Sequence, residues 1–167
     1  VELGAIAVTT NTRSSAAEIE YFADHCGAVA AITQPSYAEL VAANCRKLRW
    51  IAVTSHNAGA SADGHAVGKA ERFESLFADS ADRPRRPVDP WAHCSVQYTS
   101  GTTSRPKAVE LTHNNLTSYI TGTVEFDSAE PGDAALICVP PYHIAGVSAA
   151  LSNLYAGRKM VYLPQFD

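Results

Sequence analysis

Residues 98–109 read YTSGTTSRPKAV, with apolar runs on either side. From Thr99 to Ser104 every residue except Gly101 carries a hydroxyl, and Pro106 and Lys107 follow closely. Hydroxyls rotate to meet an acceptor. Backbone N–H groups beside a glycine come close to a ligand because no Cβ obstructs them. Lys107 adds one cation at the far end, and Pro106 limits where it points. Such a set suits phosphate oxygens and the charge that develops on a departing pyrophosphate. It holds no carboxylate or histidine placed as a base, so its chemistry is electrostatics and positioning. On composition alone, a polar hairpin tip without a ligand accounts for it equally well.

The best-known phosphate loop, GxxxxGK[ST], does not fit. Counted from Gly101, Pro106 stands where glycine is required and Ala108 where Ser or Thr is required. The stretch after Lys107 reads as a strand, where that motif needs a helix. GxGxxG is absent as well.

The elements that must hold this loop alternate. AIAVTT at 5–10 reads as a strand. In the helix that follows, Ser15 and Glu18 form a capping box, Ile19, Phe22 and Ala23 recur at helical spacing, and Gly27 ends it. AVAAIT at 28–33 reads as a buried strand. Pro35 and Ser36 open a second helix, and LRWIAVT at 48–54 is a third strand. Residues 71–79 carry helical periodicity. CSVQYT at 94–99 runs into the hydroxyl-rich loop and AVELT at 108–112 runs out of it, so the loop is the tip of a hairpin. A helix is expected over 114–126, a turn at Glu130–Asp133, a strand over 134–140, a helix from Gly146 to Gly157 and a last strand in KMVYLP. The alternation predicts α/β architecture, a mostly parallel sheet flanked by helices. Residues 55–90 read as a variable loop or linker, and its prolines hold Arg83, Arg85 and Arg86 on an extended, solvated backbone.

At 167 residues the chain has the length of roughly one domain, and 46% hydrophobic residues supply a core. The net charge of -4 disfavours a nucleic-acid partner, because no basic excess is present to neutralise a phosphate polymer. Cys26, Cys45, Cys94 and Cys138 are scattered without CxxC spacing. They read as reduced thiols of a cytoplasmic protein and not as a zinc cluster or disulfide frame. No apolar run reaches the length of a membrane span. The chain opens on VELGAIAV and closes just past a strand, so residues 1–167 are expected to be a single partial domain of a longer protein, its sheet incomplete.

YTSGTTSRPKAV resembles the phosphate-loop signature of the adenylate-forming superfamily, [YF]-[TS]-S-G-[ST]-T-G-x-P-K-G-V. Ser104 and Ala108 stand where that pattern most often has glycine. VELGAIAVTTNTRSSAAEIEYF is similar to the family's upstream segment, with Thr9 or Thr10 where proline is common. ICVPPYHIAGVSAAL and LYAGRKMVYLPQFD are similar to its downstream segments, with His143 and Gly146 at matching positions. The likeness covers essentially the whole chain and is weakest over 55–90.

The resemblance implies ATP-dependent activation of a carboxylic acid. The carboxylate attacks the α-phosphorus, giving an acyl adenylate and pyrophosphate, and coenzyme A then takes the acyl group. By the same resemblance Thr99, Ser100, Gly101, Thr102, Thr103 and Lys107 line the phosphates, and Thr103 and Lys107 are the catalytic candidates. Mg²⁺ sits among the phosphates with Thr103 as its contact, and His143 and Gly146 lie beside the acyl pocket. From the residues themselves, His143 is alternatively a cap on the helix that follows it. The alanine content and VPPYHIAG look most like the fatty-acid branch. A ligase that loads a carrier protein and a non-catalytic homologue are the alternatives, and a homo-oligomer is compatible with any of these. The family's later motifs have no counterpart in the 167 residues, so the piece alone is expected to complete no turnover.

Overall fold

The computed structural model describes residues 4–57, 60–61, 70–77, 87–99 and 105–163. In chain order the elements are β1 (Ala7–Thr9), α1 (Ala16–His25), β2 (Ala30–Thr33), α2 (Pro35–Asn44), β3 (Trp50–Val53), β4 (His56–Asn57), β5 (Ala60–Ser61) and β6 (Glu71–Arg72). A 3-10 turn (Phe73–Leu76) follows, then β7 (His93–Thr99), β8 (Lys107–Thr112), α3 (His113–Thr123), β9 (Ala134–Ile137), α4 (Ile144–Tyr155) and β10 (Lys159–Tyr162). The chain divides into two compact units, one formed by Val1–Asn11 with Pro84–Asp167 and the other by Thr12–Arg83. The architecture is α/β, with sheets flanked by helices as the alternation predicts. Among the described residues no helix is long and apolar enough to cross a membrane.

In the unit Thr12–Arg83, α1 begins where Ser15 and Glu18 exchange hydrogen bonds. The Ser15 hydroxyl accepts from the Glu18 N–H at 3.3 Å, and Glu18 Oε2 accepts from the Ser15 N–H at 2.8 Å. The Ser15 N–H and the Ser15 hydroxyl, both donating to Glu18 Oε2, hold the exposed Glu18 carboxyl below its usual range. The helix ends at Gly27, whose φ of 63° lets the Ala28 N–H reach back to Ala23 O at 2.9 Å. Pro35 opens α2 with its φ already helical. Ala38 and Val41, three apart, are buried on the face of α2 that packs on α1, β2 and β3. Phe22, Cys45, Ala52 and Val53 complete this core. The sheet is parallel in the order β2-β3-β6.

The helix read at 71–79 is not formed over the described residues. Glu71 and Arg72 instead pair with Ala52 and Val53, and Phe73–Leu76 make one 3-10 turn. So short a stretch is marginal as an isolated helix, and pairing to β3 outweighs its periodicity. Within 55–90, β4 and β5 form a small antiparallel pair. Residues 58–59, 62–69 and 78–86, with Arg83, Arg85 and Arg86 among them, lie outside the described residues.

The other unit is built on β7, which pairs parallel with β1 and antiparallel with β8. Cys94, Ser95, Val96 and Gln97 are buried in succession, so the centre of this strand is enclosed on both faces. A register shift between His93 and Ser95 marks its start. Thr112 caps α3 with Asn115 as reciprocal partner, which makes His113 the first helical residue. β9 and β10 form a separate parallel pair, and α4 packs on both.

Candidate functional site

The predicted hairpin forms. β7 and β8 are in register from Ser95↔Leu111 to Thr99↔Lys107, which places Thr99 and Lys107 opposite each other at the open end. The Thr99 hydroxyl donates to Lys107 O at 3.5 Å, a long contact that ties the two arms. β7 passes from buried Gln97 to half-buried Tyr98 and exposed Thr99, so the chain emerges from the core directly into the loop. Lys107 is exposed at the first position of β8, with half-buried Pro106 before it. Ser100, Gly101, Thr102, Thr103 and Ser104 lie outside the described residues. The geometry therefore fixes the two ends of the hydroxyl-rich segment: a secondary alcohol on one arm and an ammonium group on the other.

A second set gathers at the start of α4. His143 is the N-cap: its Nδ1 accepts the Ala145 N–H at 3.1 Å. Nδ1 is thereby the unprotonated nitrogen, and the ring proton of the neutral form sits on Nε2. The His143 carbonyl accepts from the N–H groups of Gly146 at 2.9 Å and Val147 at 3.2 Å. Gly146 is buried against the turn that precedes the helix. A Cβ there would stand 2.3 Å from Pro140 O and 2.6 Å from Val139 O. Only glycine fits this close passage of helix over backbone. The two sets belong to different sheets of one unit, Thr99 and Lys107 to β7–β8 and His143 and Gly146 to the turn and helix after β9.

One perturbed group escaped the sequence reading. In the unit Thr12–Arg83, the Ser55 hydroxyl and N–H donate to Glu74 Oε1 at 2.6 and 2.9 Å and hold that carboxyl down at about 2. The partners are 19 residues apart, across a stretch that reads as loop, so nothing local signals the pair. Burial raises the thiols of Cys45 and Cys94. Among the described residues no group of three His, Cys, Asp or Glu side chains could hold a metal ion.

The family model for AMP-binding enzymes matches residues 1–167. The long-chain-fatty-acid–CoA ligase FadD13 of Mycobacterium tuberculosis is 27% identical over 99% of the chain, which spans 31% of that protein. The feruloyl-CoA synthase of an Amycolatopsis species is 31% identical over 99% of the chain and 30% of its own length. Among solved structures, the inhibitor-bound N-terminal domain of FACL13 from M. tuberculosis superposes with a TM-score of 0.77 at 25% identity, covering 99% of the chain and 39% of that domain. A long-chain-fatty-acid CoA ligase of Rhodopseudomonas palustris gives a TM-score of 0.81 at 20% identity, a likeness of fold, over 98% of the chain and 39% of its own. The chain thus spans about a third of the relatives it matches.

Proposed function

The chain belongs to the AMP-binding enzyme family, and from this membership we propose that the full-length protein uses ATP to activate a carboxylic acid as its acyl adenylate and passes the acyl group to coenzyme A. The observation that carries the reading is the β7–β8 register, which sets Thr99 opposite Lys107 at the ends of a segment of alcohols and one glycine. In this reading Thr99, Ser100, Gly101, Thr102, Thr103 and Lys107 line the ATP phosphates.

The chemistry asks for such a set. The acid's carboxylate adds to the α-phosphorus, the bond to the β-phosphate oxygen breaks, and pyrophosphate leaves with the electron pair. An anion attacks an anionic centre, so fixed donors and a nearby cation lower the barrier by stabilising the charge on the leaving group. The donor set suits this chemistry, since Lys107 supplies the cation from an exposed position and β7 is anchored in the core two residues before Thr99. Mg²⁺, when bound, would rest on phosphate oxygens with the Thr103 hydroxyl as its protein contact, and would supply Lewis-acid shielding there.

His143 and Gly146 flank the acyl pocket in this reading. With Nδ1 committed to the Ala145 N–H, Nε2–H is the donor that His143 can turn toward the acid. Gly146 lets the helix start close against Val139 and Pro140. The similarity to FadD13 supports a fatty acid as substrate. Four free cysteines suit a reducing cytoplasm.

The test is ATP–pyrophosphate exchange by the full-length protein over a panel of fatty, aryl and short-chain acids. Exchange dependent on one of these acids, and lost in Lys107→Ala, supports the reading. Exchange of equal rate in Lys107→Ala contradicts it.

A further inference from the structure

β1 and β7 lie side by side in parallel register, with Thr9 directly beside Gln97. Both side chains stand on the face of the sheet that also carries Thr99, two residues further along β7. Gln97 is 5% exposed. Its Nε2 is buried without a hydrogen-bond partner, and so is the Thr9 hydroxyl oxygen. Of the three orphaned side-chain atoms among the described residues, the third is Glu74 Oε2, in the other unit. Two buried polar atoms that are also cross-strand neighbours can be satisfied by one shared partner.

We infer that Thr9 and Gln97 hold one internal water molecule, bridged between the Thr9 hydroxyl and the Gln97 carboxamide. Neighbouring strands lie roughly 4.8 Å apart. No direct hydrogen bond joins the two groups in the structure, and a water can span such a gap with two bonds of roughly 2.8 Å each. The Gln97 amide donates to the water oxygen, and the water donates to the Thr9 oxygen. Buried polar groups in native structures are characteristically satisfied in this manner. The position has a mechanical consequence. The bridge ties the end of β1 to β7 at the last buried residue before the strand emerges, so it stiffens the base of the hydroxyl-rich segment. The inference stands on the strand register and the burial, independently of what the segment binds.

The test combines a high-resolution crystal structure of the full-length protein with thermal melts of Thr9→Val, Gln97→Leu and the double variant. The expected result is an ordered water within hydrogen-bond distance of both side chains. Each single variant melts several degrees lower, since it strands the remaining partner, and the double variant regains much of the summed loss. Thr9→Ser, which keeps the hydroxyl, keeps the water. Three results would each overturn the bridge: a direct Thr9–Gln97 bond with no water, another part of the protein filling the place, or losses that simply add in the double variant.

Discussion

The two candidate residue sets are held in opposite ways. At the hairpin end, anchoring and the proposed phosphate contacts fall to different residues. Cys94 to Gln97 are buried and carry the strand, while Thr99 and Lys107 stand exposed at its open end. At the start of α4 the residues proposed for the acyl pocket are themselves structural. His143 caps the helix it introduces, and Gly146 is the point at which that helix touches the preceding backbone. This contrast governs what a substitution can reveal. At the hairpin a change in Lys107 reports on ligand chemistry alone, whereas at α4 every change reports on folding as well.

The largest effect is expected at Gly146. Gly146→Ala forces a Cβ to within 2.3 Å of a backbone oxygen. Backbone cannot swing aside like a side chain, so a loss of about 3 kcal/mol is expected, at the upper end of overpacking costs. Urea unfolding measures it, and a loss below about 1 kcal/mol would mean that the turn at Val139–Pro140 yields.

Next comes Lys107→Ala. Removing a preorganised charge stabiliser costs roughly 100-fold or more in kcat. An exposed side chain without packing duty changes stability by no more than about 0.5 kcal/mol. A drop in activity that merely tracks a drop in Tm would erase the contrast between the two ends.

His143 sharpens the comparison, because its cap and its proposed pocket role can be separated. His143→Ala removes an N-cap and should cost about 1 kcal/mol. His143→Asn restores a capping oxygen and hence the stability. If the imidazole also addresses the acid, the Asn variant stays inactive while it melts like the parent. Activity that returns together with stability would leave His143 a cap and nothing more.

The smallest expected effect lies away from both ends, at Glu74. Its folded pKa of about 2 is below the ordinary carboxyl value of 4.5, which the unfolded chain takes. The group therefore stabilises the fold above pH 4.5, and that contribution is lost as pH falls from there toward 2. Acid titration of the fold should show a weaker pH dependence in this window for Glu74→Gln. An unchanged titration would show that the Ser55 contact does not persist in solution.

What the sequence made legible follows the range of the interactions. The capping box at Ser15 and Glu18, the stop at Gly27 and the Pro35 start are local, and the structure places each where its chemistry predicts. The hairpin was legible because two β-rich runs flank a short segment of small hydroxyl residues with one glycine and one proline. The segment 71–79 was misread because pairing with β3, almost twenty residues upstream, decided it. The Ser55–Glu74 contact and the orphaned pair at Thr9 and Gln97 were invisible for the same reason: each depends on a register between distant segments. At His143 the residues alone allowed a cap or a pocket histidine. The structure supplies the cap, and the pocket is the part that experiment must decide.

A crystal structure of the full-length protein with ATP bound bears on the phosphate site without intermediaries. The triphosphate is expected at the β7–β8 hairpin end, with the Lys107 ammonium and the alcohols that follow Thr99 within hydrogen-bond distance of its oxygens. A triphosphate bound elsewhere, with Lys107 still in solvent, would contradict the assignment of this segment as the phosphate cradle.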